Sequence, residues 1–404
     1  MHIRAKHLVL PVAAAGLLGS ALVAPAASAA PEPAAATLAQ SGVAAWNVAA
    51  FWYANNQANL LAATPYDVEP QAKHVSKGGF APGEPGADGE PGVVEPIGGK
   101  PGGSSENKNV NLPKTTGKVF FLGADGKPHW CSATSLQSTY RNLVATAGHC
   151  VYDTKSNAAT MKYWVFVPGY YDGKLPWGLY AGRQAFTHDK FDVYKEFDYD
   201  YAFVTVYNGL QAPPQGGAVP GEWTQVSKDE YDEYRSYDAY SSVADQFTKA
   251  DPSGEYFVWK FADAGRLGDN VGGQGLAYNQ QPGKPVFVVG YPSGWADTDG
   301  DYAATGDTEK WCYGATSAAW SLDLQAAKLL AVPCPFTGGG ASGSAWLAGY
   351  SHLTRTGYLN GLTVAVSDTD DDHRIDTSLS PYFDGKLYDI YKQAADQESG
   401  SITG

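Results

Sequence analysis

The chain has 404 residues, a formal net charge of −14 and only 17% charged residues. Asp and Glu number 42 against 28 Lys and Arg, and no Lys/Arg-rich cluster occurs, so the positive charge that phosphate neutralisation needs is missing and nucleic acid is argued against as a partner. Low charge with plentiful Gly, Tyr and Trp suits a β-rich extracellular protein rather than a helical bundle.

Residues 1–29 read as a secretory signal peptide. His2, Arg4 and Lys6 give a positive start, an apolar stretch runs from Leu8 to Val23, and Ala27-Ser28-Ala29 suits signal peptidase. The stretch is short and broken by Pro11, which disfavours a membrane anchor, and no later run is long and apolar enough to span a bilayer. The product is expected to be secreted, free of the membrane once the signal is removed, and monomeric.

Residues 30–114 read as a pro-segment. Val43 to Leu61 carries Trp46, Phe51, Trp52, Leu60 and Leu61 among alanines, which predicts a short helix. Lys77 to Ser105 is dominated by Gly, Pro and acid. Glycines 83, 86, 89 and 92 recur every third residue, but four triplets are too few for a triple helix, so a flexible linker is expected.

From Gly117 the pattern changes to short apolar runs separated by Gly, Pro, Asn and Asp. The predicted strands are Lys118–Leu122, Cys131–Leu136, Leu143–Thr146, Tyr163–Pro168, Tyr201–Tyr207, Tyr256–Phe261, Pro285–Gly290, Trp311–Ala318, Leu329–Pro333, Ala345–Ala348 and Leu362–Ser367. Such a series argues for an all-β sandwich or pair of barrels. Tyr382 to Gln393 predicts a helix, and the Tyr- and Asp-rich Glu222–Asp251 stretch a surface insertion.

Four cysteines, at 131, 150, 312 and 334, suit two disulfides in an oxidising compartment. Three pairings exist, and joining sequence neighbours, Cys131 with Cys150 and Cys312 with Cys334, closes the smallest loops. No C-x-x-C pair or His at ligand spacing supports a zinc site.

Three segments carry potential chemistry. Val144-Ala145-Thr146-Ala147-Gly148-His149-Cys150 delivers a His from a β-type run onto a small-residue turn, where an adjacent disulfide would fix the backbone of a general base. In Gly338-Gly339-Gly340-Ala341-Ser342-Gly343-Ser344 a Ser sits among glycines, so its hydroxyl can be exposed on a tight turn while the amides of Gly340 and Ser342 converge on one oxygen. Asp198-Tyr199-Asp200-Tyr201-Ala202-Phe203-Val204 brings an Asp into an apolar strand, where a His N–H is a suitable partner. Each segment also has a purely structural interpretation when taken alone.

Together they run in the order His, Asp, Ser, the chymotrypsin order. The chain resembles trypsin-like serine peptidases, and within them the bacterial secreted branch related to glutamyl endopeptidases. The resemblance rests on Thr146-Ala147-Gly148-His149-Cys150, Asp200-Tyr201-Ala202, Val289-Gly290-Tyr291-Pro292 and Gly340-Ala341-Ser342-Gly343-Ser344, with Thr116 to Phe121 and the Cys131–Cys150 spacing in support. It covers roughly residues 115–395, and the Trp52 to Pro65 piece resembles pro-segments of such enzymes. It implies two six-stranded Greek-key barrels over residues 115–404, a C-terminal helix and a cleft between the barrels. It further implies a serine endopeptidase acting on protein or peptide substrates through an acyl-enzyme, with no cofactor and no metal. Ser342 would be the nucleophile, His149 the base and Asp200 its orienter, with Asp198 as the competing orienter. The backbone N–H groups of Gly340 and Ser342 would form the oxyanion hole. The alternative is a catalytically inactive relative used as a binding or adhesion module.

The pattern departs from the family at two places. Ala341 stands where trypsin has the Asp that pairs with the new N-terminus, so that activation mode is absent and the pro-segment is expected to act by inhibition or chaperoning. The specificity pocket would be lined by Phe336, Thr337, Val364, Ala365 and Val366. It contains neither an Asp nor the His of glutamyl endopeptidases, unless His352 folds back, so an apolar or small side chain is the expected preference. The acidic stretches Asp297–Asp301 and Asp368–His373 miss the EF-hand spacing and are expected to be solvated loops, and His129 and His188 to be surface residues.

Overall fold

Two neighbouring strands show how the residues after Thr115 build a layered core. We describe a computed structural model covering residues 33–66, 70–78, 90–98, 112–154, 160–214, 217–236, 241–294, 304–335, 338–372 and 374–403. In β1 (Thr116–Leu122) the side chains of Val119 and Phe121 point into one apolar cluster, and those of Phe120 and Leu122 into another. The first barrel continues with β2 (Pro128–Leu136), β3 (Leu143–Thr146) and β4 (Lys162–Pro168). In β4 the same alternation puts Trp164 and Phe166 on one side and Val165 and Val167 on the other. Runs that are apolar at successive positions, Val119–Leu122 and Tyr163–Pro168, mark strands buried on both faces. One face fills a barrel and the other is covered.

The remaining strands of this barrel are β5 (Tyr180–His188) and β6 (Ala202–Val206). The antiparallel order β1-β2-β3-β6-β5-β4 closes because β4 also pairs with β1. The ring leaves parts of β2 and β5 free to pair with segments outside it.

The second barrel contains β7 (Pro285–Gly290), β8 (Lys310–Ala315, continuing past Thr316 as Ser317–Ser321) and β9 (Ala326–Pro333). It is completed by β10 (Ala345–Ser351), β11 (Thr356–Leu362, continuing as Ala365–Ser367) and β12 (Thr377–Pro381). The first half of β8 pairs with β7 and its second half with β9. The first half of β11 pairs with β10 and its second half with β12. Bent strands that change sheets make such corners, and with the β7–β10 and β9–β12 pairings they close a second six-stranded ring. The chain therefore has the all-β, two-barrel fold that the resemblance implies. A C-terminal helix, Gly385–Ala395, follows. Asp384 caps it by accepting from the amides of Lys386 and Leu387, and Leu387, Ile390, Tyr391 and Ala394 form its buried stripe.

Sequence periodicity missed β5 and β12. Gly182, Arg183 and Gln184 interrupt the apolar run of the first, and Thr-Ser-Leu-Ser-Pro is nearly all polar, yet buried, in the second. Both disulfides join sequence neighbours, Cys131–Cys150 with Cα atoms 6.3 Å apart and Cys312–Cys334 at 6.1 Å.

Residues 33–98 are built into both barrels. Pro33–Thr37 extends the first sheet by pairing with β5. The Gly42–Leu61 helix, capped by Ser41, covers the outer face of β1 and β4 with Phe51 and Trp52, and Trp52 Nε1 donates to Tyr163 O at 2.6 Å. Its helical conformation breaks at Ala54–Gln57, where Asn55, Asn56 and Gln57 take positive φ. Further on, Thr64–Pro65 pairs with β2, Ser76–Lys77 with the second half of β8, Gly92–Val94 with Gly275–Tyr278, and Ile97–Gly98 with Gly272–Gly273. Residues 31–404 form one compact unit.

The expected surface insertion has a packing role. Its strands Gly221–Val226 and Thr248–Ala250 both pair with the predicted strand Tyr256–Phe261, and it carries the helices Lys228–Ser236 and Ser241–Phe247. Together they surround Trp46 of the N-terminal helix, with Tyr234, Phe247 and Phe261 rings 4.9, 6.3 and 5.6 Å away and Trp46 Nε1 donating to Trp259 O. Among the described residues no helix is long and apolar enough to cross a membrane.

Candidate active site

His149 lies on a single turn, Gly148–Cys150, just beyond β3. The turn needs glycine at 148, because a Cβ there would sit 2.6 Å from the Phe191 ring and 2.9 Å from Asp200 Oδ1. Asp200 immediately precedes β6, which pairs with β3, so strand register brings the two residues together. Asp200 accepts twice from the same residue: His149 N–H donates to Oδ1 at 2.9 Å and Nδ1 to Oδ2 at 2.7 Å. Both side chains are essentially inaccessible. An ionised carboxylate only accepts, so Nδ1 carries the proton and Nε2 of the neutral ring keeps its lone pair.

Asp198, the competing partner, faces elsewhere. Its carboxylate accepts from the amides of Ala327 and Lys328 in β9 at 2.9 and 2.7 Å, tying the loop before β6 to the second barrel. Burial raises its pKa, opposed by those two amides.

Ser342 sits on the turn between β9 and β10. Gly338, Gly340 and Gly343 all have φ near +80 to +105°, at 103, 86 and 83°. The turn is pinned to β2: Ser132 N–H donates to Ser342 O, and Ser132 Oγ donates to Gly340 O at 2.8 Å. Ser132 Oγ also accepts from Tyr291 N–H. The neighbouring Cys131 is bonded to Cys150, adjacent to His149, so one short path links the His turn to the Ser turn. Trp130 packs on Gly340 so closely that a Cβ there would lie 1.9 Å from its ring. The amides of Gly340 and Ser342 donate to no other described residue. His149 Nε2 and Ser342 Oγ are both buried, and neither has a hydrogen-bond partner among the described residues.

Sequence reasoning gave no role to Ser132, Trp130 or Lys118: the first two only flank Cys131, and Lys118 counted only as part of the Thr116–Phe121 stretch. Lys118 is buried with Nζ 3.6 Å from the Trp130 ring centroid and 4.2 Å from that of Tyr170. Burial lowers its pKa to about 7, against the pull of Asp307. The signal was a lysine on the same face of β1 as Phe120 and Leu122, where a covered apolar cluster surrounds it.

Of the expected pocket residues, Val364, Ala365 and Val366 are fully buried on or beside the second half of β11, while Phe336 and Thr337 lie outside the described residues. His352 stands at the β10–β11 turn, edge-on to Phe287 and Tyr350. Ala341 is buried in an apolar cluster with Val286, Val288, Trp346 and Tyr382. His188 is not on the surface: it is 3% exposed and its ring packs, tilted, against that of Tyr199 with centroids 3.9 Å apart. His129 is largely buried too, bonded to Thr64 Oγ1 and Asp125. Asp368, Asp370 and Asp376 place carboxylate oxygens within 4.8 Å of one another, and Asp297–Asp301 and His373 lie outside the described residues.

No protein-family model and no curated protein matches the chain. Solved structures are similar to it. Protease Anisep from Arthrobacter nicotinovorans is 22% identical with a TM-score of 0.48, covering 71% of this chain and 98% of its own. The thermostable serine protease AL20 from an extremophilic microorganism is 21% identical with a TM-score of 0.49, covering 72% and 100%. A Glu endopeptidase is 14% identical with a TM-score of 0.43, covering 72% and 95%.

Proposed function

We propose that the chain is a secreted serine endopeptidase with Ser342 as nucleophile, His149 as general base and Asp200 as the residue that orients and stabilises His149. The observation that carries this reading is the two-point grip of a buried Asp200 on His149, which leaves Nε2 as a base. Ser342 Oγ attacks the scissile carbonyl as Nε2 takes its proton. The amides of Gly340 and Ser342 stabilise the oxyanion, and His149 then protonates the leaving amine. Water repeats the sequence on the acyl-enzyme. Two disulfides support an oxidising destination, and the buried apolar setting of Ala341 supports activation without a buried N-terminal ion pair. The preference for an apolar or small side chain rests on the uncharged Val364–Val366 stretch.

A fluorophosphonate probe tests the reading. Active protein is expected to be labelled and Ser342→Ala to be inert. Absence of labelling in every form of the wild type overturns it in favour of a binding module. A peptide-library digest then separates peptidase from esterase and reads the side-chain preference.

A further inference from the structure

Lys118 carries a charge that the proposed chemistry does not use. The residue is 2% exposed, and its Nζ sits in a cage of rings, 3.6 Å from the Trp130 centroid, 4.2 Å from Tyr170, 5.7 Å from Tyr291 and 5.8 Å from Phe120. Among the described residues it makes no ion pair. Two acids face the cage, both from the segment that leads into β8. Asp307 is exposed and attracts the ammonium from beyond ion-pair distance. Glu309 is buried against Tyr291, and burial pushes its carboxyl well above its usual range, which favours the neutral form. Aromatic faces replace only part of an ammonium's lost hydration, so this charge costs stability.

The cage leads to the Ser342 turn. Trp130, from the first barrel, is wedged against two glycines of the second: a Cβ would lie 1.9 Å from its ring at Gly340 and 2.3 Å from it at Gly306. Tyr291 reaches the same turn by another route, since its N–H donates to Ser132 Oγ and Ser132 Oγ donates to Gly340 O. The Tyr291 hydroxyl is itself tied down, donating to Tyr170 O at 2.9 Å. A glycine has no side chain with which to restrain its own peptide planes, so what packs beside Gly340 decides how well its amide is aimed. We infer that Lys118 is a positioning residue for the oxyanion turn, its ammonium holding the Trp130 ring against Gly340 and so fixing the direction of the Gly340 N–H. This rests on the proposed hydrolase reading and deepens it. A ring face attracts an ammonium electrostatically in a way that it does not attract a methylene or a thioether, which gives the costly charge a use.

Lys118→Met in the active form tests this, because it keeps an unbranched stem and removes the charge. At about pH 6 the variant is expected to turn over a peptide about tenfold more slowly, with KM nearly unchanged, less than the loss for deleting an oxyanion donor. It is expected at the same time to melt at a higher temperature than wild type, whereas a purely structural residue would lose activity and stability together. Burial lowers the Lys118 pKa to about 7, so wild type sheds the charge above that value. The ratio of the two kcat values is therefore expected to shrink towards one as pH rises, the titration of His149 being common to both proteins. Trp130→Phe keeps a ring but shortens its reach to Gly340 and Gly306, and adding Lys118→Met to it is expected to cost no further kcat. Equal kcat in wild type and Lys118→Met at about pH 6, or full additivity of the two substitutions, overturns the positioning role while leaving the hydrolase reading intact. Absence of both turnover and Ser342-dependent fluorophosphonate labelling in wild type overturns both.

Discussion

Asp200 holds His149 by the ring and by the backbone at once, through Nδ1 at 2.7 Å and the amide at 2.9 Å. The second bond fixes where the residue starts and the first fixes how its ring turns. A carboxylate two positions earlier, Asp198, has the same charge and half the same sequence context, but it bonds to β9. Two neighbouring acids thereby serve different partners, one the His149 turn and the other β9.

That division is directly testable. Asp200→Asn in the active form is expected to lower kcat about ten-thousand-fold, because an amide in place of the carboxylate favours the wrong His tautomer. Asp198→Asn is expected to leave kcat of the folded protein unchanged and to lower stability by about 1 kcal/mol, since the amides of exposed Ala327 and half-buried Lys328 lose a charged acceptor. Steady-state kinetics and denaturant unfolding on both variants check the pair. A kinetic defect in Asp198→Asn as large as that in Asp200→Asn would reverse the assignment.

Ser132 supports the Ser turn from behind by donating to Gly340 O while accepting from Tyr291 N–H. Ser132→Ala leaves that carbonyl and that amide without their shared partner. It reaches the proposed oxyanion donors only through the turn, so the expected loss is smaller than for deleting a donor: about tenfold in kcat, with KM for a peptide nearly unchanged. A proportional rise in KM with constant kcat would show that Ser132 serves substrate binding instead.

Much of this was legible in the sequence because it depends on local patterning. Apolar runs ending in Gly-His-Cys and in an Asp before Tyr-Ala-Phe-Val located His149 and Asp200, since each residue stands at the end of a strand. Glycines around Ser342 announced a turn that requires positive φ. Relations set by non-local pairing could not be read. The apolar run of β5 is interrupted by Gly182-Arg183-Gln184 and β12 is nearly all polar, and both become strands because partners on both sides bury them. His188, isolated in sequence, is covered by Tyr199 and the strand Pro33–Thr37. The alanine-rich helix announced itself, but its burial between the first barrel and the insertion depends on aromatic residues some two hundred positions away.

That burial makes the N-terminal helix a stability element. Trp52 is fully buried, gives its Nε1–H to Tyr163 O and packs against Phe51 and Phe120. Trp52→Ala is expected to destabilise the chain by about 3–5 kcal/mol through lost burial and the cavity left behind. After a cut in the Gly/Pro-rich linker, the severed N-terminal piece is expected to stay with the body through gel filtration of wild type and to separate from the Trp52→Ala variant. Immediate separation of the wild-type piece would show that the helix does not hold it to the barrels.

Lys118 gives the folded state a pH signature. Its ammonium lies among Trp130 and Tyr170 in a buried site, and burial brings its pKa from 10.5 down to about 7. The aromatic faces favour the charged form, but they replace only part of its lost hydration. The unfolded chain keeps this proton up to about pH 10.5, whereas the folded chain releases it near 7. Between those values the unfolded state binds more protons, so stability from this group rises with pH. Below pH 7 both states are protonated and the whole cost of burying the charge remains. Lys118→Met keeps an unbranched apolar stem without the titration. The variant is expected to be the more stable protein at pH 6, with the advantage shrinking steadily towards pH 10. Buried tyrosines also titrate at the alkaline end, but they are common to both proteins and cancel in the difference between the two melting curves. Thermal unfolding of wild type and variant from pH 6 to 10 measures that difference. A gap that stays constant across the range would mean that Lys118 keeps its charge in the folded state throughout.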